Sequence, residues 1–172
     1  MSETKLWIMC GVPGSGKSYY AKNHLMKNDG TWAYISRDEV RFSLVKENEE
    51  YFSKEKQVFK EFIKQIHYAC LDEDIKNVII DATHLNKASR MKLINAIFPY
   101  GLDINILCIW METPLEVCLA RNAKREGRAC VPNSAIRRMW NSSQFPSKDE
   151  YDYEGIFKVT QYEDKYLVMG YI

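Results

Sequence analysis

Eight residues near the N-terminus, Gly11-Val12-Pro13-Gly14-Ser15-Gly16-Lys17-Ser18, constrain this chain more than any other feature. They match G-x-x-x-x-G-K-[ST] in full. They follow the apolar run Leu6-Trp7-Ile8-Met9-Cys10 and precede a helix-period segment holding Tyr20, Ala21, His24 and Leu25. Strand, glycine-rich turn and helix in that order form a cradle for phosphate. Gly14, Ser15 and Gly16 let backbone N–H groups turn inward, and the helix start adds its positive end. Lys17 then reaches the β- and γ-phosphates, and the Ser18 hydroxyl ligates Mg²⁺. The bare pattern arises by chance in roughly one random chain in a hundred of this length, and the matching context makes coincidence rarer. A glycine-rich turn without a ligand leaves Lys17 and Ser18 unexplained, so the segment predicts binding of a nucleoside triphosphate with Mg²⁺.

The rest of the chain supplies the sheet that such a loop needs. Short apolar runs recur at Trp32-Ala33-Tyr34-Ile35, Asn77-Val78-Ile79-Ile80, Ile104 to Trp110 and Ile156-Phe157-Lys158-Val159, alternating with helix-period segments. The longest such segment runs from about Phe52 to Leu71, with Phe59, Phe62, Ile63 and Ile66 on one stripe. Ser36-Arg37-Asp38-Glu39 and Thr113-Pro114-Leu115-Glu116 read as capping boxes, each starting a helix after a strand. Glu163-Asp164 reads as the turn of a closing hairpin. The prediction is an α/β fold: a central parallel sheet of about five strands flanked by helices, as one domain over 1–172. With 172 residues and 46% hydrophobic side chains there is material for one core but not two.

Composition narrows the function classes. A net charge of +1 excludes a globally basic nucleic-acid coat and a disordered chain. Five cysteines, odd in number and never spaced C-x-x-C, suggest neither a disulfide framework nor a structural zinc, and point to a reducing cytoplasm. No apolar run approaches the roughly 20 residues of a membrane span, and no signal-peptide architecture is visible.

Further residues bear on where the γ-phosphate goes. Asn77-Val78-Ile79-Ile80-Asp81 resembles a Walker B strand, whose aspartate supports Mg²⁺ directly or through water. The next residue is Ala82, not the glutamate that orients water in many ATPases, which favours transfer over hydrolysis. Asn86-Lys87-Ala88-Ser89 lacks the aspartate of a guanine-reading N-K-x-D, so ATP is the expected nucleotide. Asp38 and Arg41, three apart after the second strand, share a helix face at the end of the sheet where ligands sit. A carboxylate there is placed to take a proton from an attacking hydroxyl, although an ordinary surface ion pair has the same spacing. From Arg121 to Arg138 six basic residues face the single acid Glu126, which reads as a hinged lid over 121–138. Arg125, then Arg121, is favoured for the transferring phosphate, with Lys124 and Arg128 as surface charges. His24 and His67 read as packing or surface residues, His84 as a loop residue or one within reach of the acceptor, and Trp140, Phe145, Tyr151 and Tyr153 as cover for a sheet edge, with stacking on adenine or an acceptor base as the alternative.

Gly11 to Ser18, Ser36-Arg37-Asp38-Glu39-Val40-Arg41, Asp81-Ala82-Thr83-His84-Leu85-Asn86 and Arg121-Asn122-Ala123-Lys124-Arg125 with Val131-Pro132 together resemble the 5′-kinase domain of the phage-type polynucleotide kinase family. The resemblance covers the chain from about Lys5 to Val159. It implies a P-loop kinase fold with a helical lid, transferring the γ-phosphate of ATP to the 5′-hydroxyl end of RNA or DNA. By it Lys17 and Ser18 serve ATP and Mg²⁺, Asp38 is the general base, and Arg37 and Arg41 place the acceptor. Thr83 and its neighbour His84 would contact the acceptor nucleotide, and Arg121 and Arg125 would bind the ATP phosphates. Ala82 departs from the acidic residue of the phage enzyme. Asp72-Glu73-Asp74 is the nearest approach to that enzyme's D-x-D-x-T phosphatase motif and reads as surface. A ligase or phosphatase acting as a separate chain is the implied partner. A kinase of a nucleoside, sugar or nucleotide-sugar, and a non-metabolic ATP-dependent switch, are the competing readings.

Overall fold

The computed structural model describes residues 4–98 and 104–171, so the assignment of 1–172 to one domain extends to positions outside those described. Six strands form one sheet: β1 (Thr4–Cys10), β2 (Trp32–Ser36), β3 (Asn77–Asp81), β4 (Ile104–Glu112), β5 (Gly155–Tyr162) and β6 (Lys165–Tyr171), in the order β2-β3-β1-β4-β5-β6. The first five run parallel, and β6 returns antiparallel through the Glu163-Asp164 turn, as the hairpin pattern predicts. The middle strands are buried on both faces and are therefore nearly all apolar: Leu6, Ile8, Val78, Ile79, Ile80 and Ile106 have almost no exposed surface.

The helices are α1 (Lys17–Tyr20), α2 (Arg37–Leu44), α3 (Glu55–Leu71), α4 (Lys87–Ile97), α5 (Leu115–Ala123) and α6 (Asn133–Asn141). The long helix starts at Glu55, three residues later than the apolar stripe suggests, because Phe52 lies in the preceding turn and is exposed. Its Val58, Phe62, Ile63 and Ile66 pack with Leu93, Ile94 and Ile97 of α4 against one sheet face. The other face is covered by α1 and its π-helical continuation, Ala21–Leu25, with Met9, Ile79, Ile109 and Val159 beneath Tyr20 and Ala21. The segment after β1 thus lies on one side of the sheet and the helices after β2 and β3 on the other. That reversal makes the C-terminal edge between β1 and β3 a topological switch point, where an open α/β sheet leaves a crevice.

Local capping differs from the sequence pattern. Ser36 does accept the Glu39 N–H at 3.3 Å and starts α2. Thr113 does not cap α5, whose N-cap is Pro114; its hydroxyl donates to the Ser15 carbonyl at 2.8 Å instead. The reciprocal box forms at Asn86 and Ser89, opening α4. Among the described residues no helix is long and apolar enough to cross a membrane.

Candidate active site

The glycine-rich segment sits at the switch point. Gly14 and Gly16 have φ of +83° and +88°, a left-handed conformation that L side chains avoid. Gly14 has a second reason: a Cβ there would stand 2.2 Å from the Cys118 carbonyl of α5, so helix and loop backbone are in direct contact. Gly11 N–H donates to the Thr83 carbonyl at 3.0 Å, which ties the loop to the end of β3. Gly16 caps α1 with no side-chain acceptor, so the first-turn N–H groups that every helix leaves unpaired open onto the loop.

Lys17 is buried, with Nζ 3.7 Å from Asp81 Oδ1. Asp81 Oδ2 accepts from both Ser18 Oγ and Tyr34 Oη. Asp81 Oδ1 and Ser15 Oγ are buried and without a hydrogen-bond partner. A buried carboxylate oxygen with no hydrogen bond, only a lysine charge at 3.7 Å, is a costly arrangement for the protein alone. It fits a hard cation, which takes oxygen ligands and shares them with phosphate oxygens. Ser18 and Asp81 are the residues that would hold Mg²⁺, as their types in these positions suggest. Burial, with the Asp81 charge next to it, pushes the Tyr34 phenol well above its usual range, so it stays a donor to that carboxylate.

The second part of the site begins at the neighbouring strand. Ser36 lies opposite Asp81 in the β2–β3 register, and Asp81 lies opposite Met9 of β1, so α2 starts two strands from the loop with Asp81 between them. Lys22 and Glu39 bridge the two helical segments at 3.2 Å. Arg41 is buried, whereas the Asp38 side chain is 60% exposed. The Arg41 guanidinium donates to Asp38 Oδ1 at 2.5 Å and to both Glu55 oxygens at 3.1 Å, and its plane stacks on the Tyr51 ring at 4.6 Å. Tyr51 Oη donates to the same Asp38 oxygen at 3.0 Å, and Arg37 pairs with Glu55. Asp38 is therefore held on one oxygen by two donors and presented to solvent. The alternative of a loose surface ion pair does not describe it, because its partner is buried and itself anchored by Glu55.

The remaining residues are placed unequally. Thr83 is half-buried beside the loop. His84, expected near the acceptor, is buried at φ +42° with Nδ1 against the Met9 carbonyl at 3.2 Å. Burial holds its pKa down to about 4, so the neutral ring braces β1 and has no open edge for an acceptor. Arg121 is half-buried at the loop: a Cβ on Gly16 would meet its guanidinium at 3.2 Å, and it donates to Gln161 at 2.7 Å. Arg125 lies beyond the end of α5, so the two arginines do not share a helix face; it is exposed and reaches the Ala129 carbonyl at 3.5 Å. Arg128 is no simple surface charge, for it donates to the Val45 carbonyl at 2.6 Å. Tyr34, Tyr51 and Glu55 belong to the site, yet their types and spacing carry no motif.

A family model described as AAA domain matches residues 6–146. The chain is 28% identical over 146 residues to L-seryl-tRNA(Sec) kinase of Methanococcus maripaludis, covering 82% of this chain and 53% of that protein. It is 26% identical over 152 residues to a putative bifunctional polynucleotide kinase/RNA ligase of Autographa californica nuclear polyhedrosis virus, covering 81% of this chain and 21% of that one. Among solved structures, a chain of the Pnkp1/Rnl/Hen1 RNA repair complex superposes with a TM-score of 0.70 at 26% identity, over 89% of this chain and 48% of that chain. The chain thus spans about half the length of the first relative and a fifth of the second. Loop, sheet order and matches agree: the chain belongs to the AAA domain family, and its fold is that of a P-loop kinase.

Proposed function

We propose that this P-loop kinase transfers the γ-phosphoryl group of ATP to the 5′-hydroxyl end of RNA or DNA. The observation that carries the reading is Asp38: a solvent-facing carboxylate held by buried Arg41 and by Tyr51 just after β2, with Asp81 at the end of the adjacent β3 and Lys17 in the loop-helix segment that follows β1. Kinases whose acceptor is a hydroxyl need such a fixed base beside, and not within, the phosphate cradle.

In this reading the loop N–H groups and Lys17 hold the phosphates, and Ser18 and Asp81 would hold Mg²⁺, which would neutralise phosphate charge. The free oxygen of Asp38 accepts the proton of the 5′-hydroxyl. The hydroxyl oxygen forms its bond to the γ-phosphorus as the bond to the β–γ bridging oxygen breaks, and ADP carries that electron pair away. Lys17 and Arg121 face the developing charge, and Arg125 adds a second cation from the lid. Arg37 and Arg41, both tied to Glu55, keep the acceptor side of the site rigid. The viral relative that joins a polynucleotide kinase to an RNA ligase supports a ligase as partner, in the same or another chain.

Incubation with γ-labelled ATP and a 5′-hydroxyl oligonucleotide, beside a panel of seryl, sugar and nucleoside acceptors and a no-acceptor control, tests the proposal. Label on the 5′ end of the oligonucleotide is the expected result. Label on a small acceptor alone, or only as free phosphate, contradicts it.

A further inference from the structure

The sheet ends on β6, whose outer edge has no partner strand among the described residues. An open edge is a template for another strand, and proteins ordinarily blunt it with proline, a bulge or charge. β6 uses none of these along most of its length: it pairs with β5 one-to-one from Lys165 to Tyr171, and Tyr166-Leu167-Val168-Met169-Gly170-Tyr171 carries neither proline nor charge. Its faces are open too. Leu167, Val168, Met169 and Tyr171 are 38–49% exposed, a row of apolar side chains left in water on one strand.

The hairpin fixes which backbone groups are free to pair. Tyr162 and Lys165 flank a two-residue turn and bond to each other, and in an antiparallel ladder hydrogen-bonded pairs alternate with non-bonded ones. Leu167, Met169 and Tyr171 therefore bond to β5, while Tyr166, Val168 and Gly170 turn their N–H and C=O groups to the open edge. Those three positions are symmetric about Val168. A second copy laid antiparallel across a two-fold axis there meets them in kind. Val168 faces the partner's Val168, and Tyr166 faces the partner's Gly170, where its ring covers a position without a side chain. On the other sheet face Leu167 meets the partner's Met169. A strand of unrelated sequence has no such match, and a two-fold contact closes at two copies.

We propose that β6 is a self-association edge: two copies of this chain pair β6 to β6, antiparallel about Val168, and join their sheets into one. A ladder of this length buries on the order of 1,000 Å² in total, the lower bound for a specific interface, so the dimer is reversible and of micromolar affinity. Asp38 follows β2, at the opposite edge of the sheet, so pairing leaves the candidate active site open whatever its acceptor.

Sedimentation of the purified chain from about 1 to about 200 μM tests the proposal. The wild type should shift with concentration from the mass of one chain toward that of two. Val168→Glu and Val168→Lys each set like charges against one another at the axis and should weaken association at least about tenfold. Their urea midpoints should stay near that of the wild type, because the side chain is already 47% exposed. Mixed in equal amounts, the two variants should dimerise again, since opposite charges then meet at the axis. A wild type that stays monomeric over the whole range overturns the proposal. So does a dimer that both variants leave intact, which places the interface elsewhere, or a mixture that associates no better than either variant alone.

Discussion

At the level of single residues, the groups that matter most are held in place by others. Arg41 joins Asp38 to Glu55 with a planar fork, and a lysine cannot span both at once. Arg41→Lys should therefore lower kcat by about 10²-fold through misplacement of Asp38, with the ATP KM little changed, measured by steady-state kinetics. His84 offers a pH signature. Its folded pKa of about 4 lies below the ordinary 6.5, so between those values the unfolded chain binds the proton and the folded chain does not. Stability from this group is fully present above pH 6.5 and is lost as pH falls toward 4. His84→Asn, which tolerates a positive φ, should flatten that part of the stability profile in denaturant titrations from pH 7 to 4. These contacts also show what sequence could convey at this scale. Lys17, Ser18 and Asp38 announce themselves by fixed spacing to glycines or arginines. Tyr51 and Glu55 do not, because the turn before α3 and the first residue of α3 bring them to Asp38 and Arg41, a placement that no short motif records.

At the scale of elements, the strands and the closing hairpin follow from periodicity, since a strand buried on both faces has little choice but to be apolar. Helix starts are less legible. Thr113 has the pattern of a cap and spends its hydroxyl on the Ser15 carbonyl, a partner 98 residues away in sequence. A comparable long-range tie joins α4 to the segment before β5. Arg90 is fully buried and pairs with Glu150 through two hydrogen bonds of 2.6 and 2.9 Å, while a third, to the His84 carbonyl, steadies the turn after β3. Arg90→Leu removes the cation and two of the three hydrogen bonds from the buried Glu150 carboxylate, leaving it only Tyr153, and should cost about 3–5 kcal/mol in urea unfolding. Glu150→Gln, which keeps a neutral acceptor for Tyr153, should cost less.

At the scale of the whole molecule, a net charge of +1 conceals an arrangement that only the folded chain makes plain. The acids after residue 148 are partly spent, Glu150 on Arg90 and Glu154 on Lys5. The cations at the C-terminal end of the sheet, Lys17 and Arg121, are half-buried or deeper and face the phosphate cradle. On the proposed 5′-hydroxyl acceptor, a site built this way grips an end and not a length of nucleic acid. The acceptor KM should vary with salt with a log–log slope of magnitude about 1, that of one or two phosphate contacts on a single strand, measured from 50 to 200 mM. The order β2-β3-β1-β4-β5 brings Asp38, Asp81 and the glycine-rich loop to the C-terminal ends of three adjacent strands, and of the two carboxylates only Asp81 bonds to the loop segment. The most direct measurement is therefore Asp38→Ala in single-turnover transfer from labelled ATP to a 5′-hydroxyl oligonucleotide, with ATP affinity measured in parallel. The expected result is a rate lowered by about 10²–10⁴-fold with an ATP affinity equal to that of the wild type. An unchanged transfer rate would contradict it.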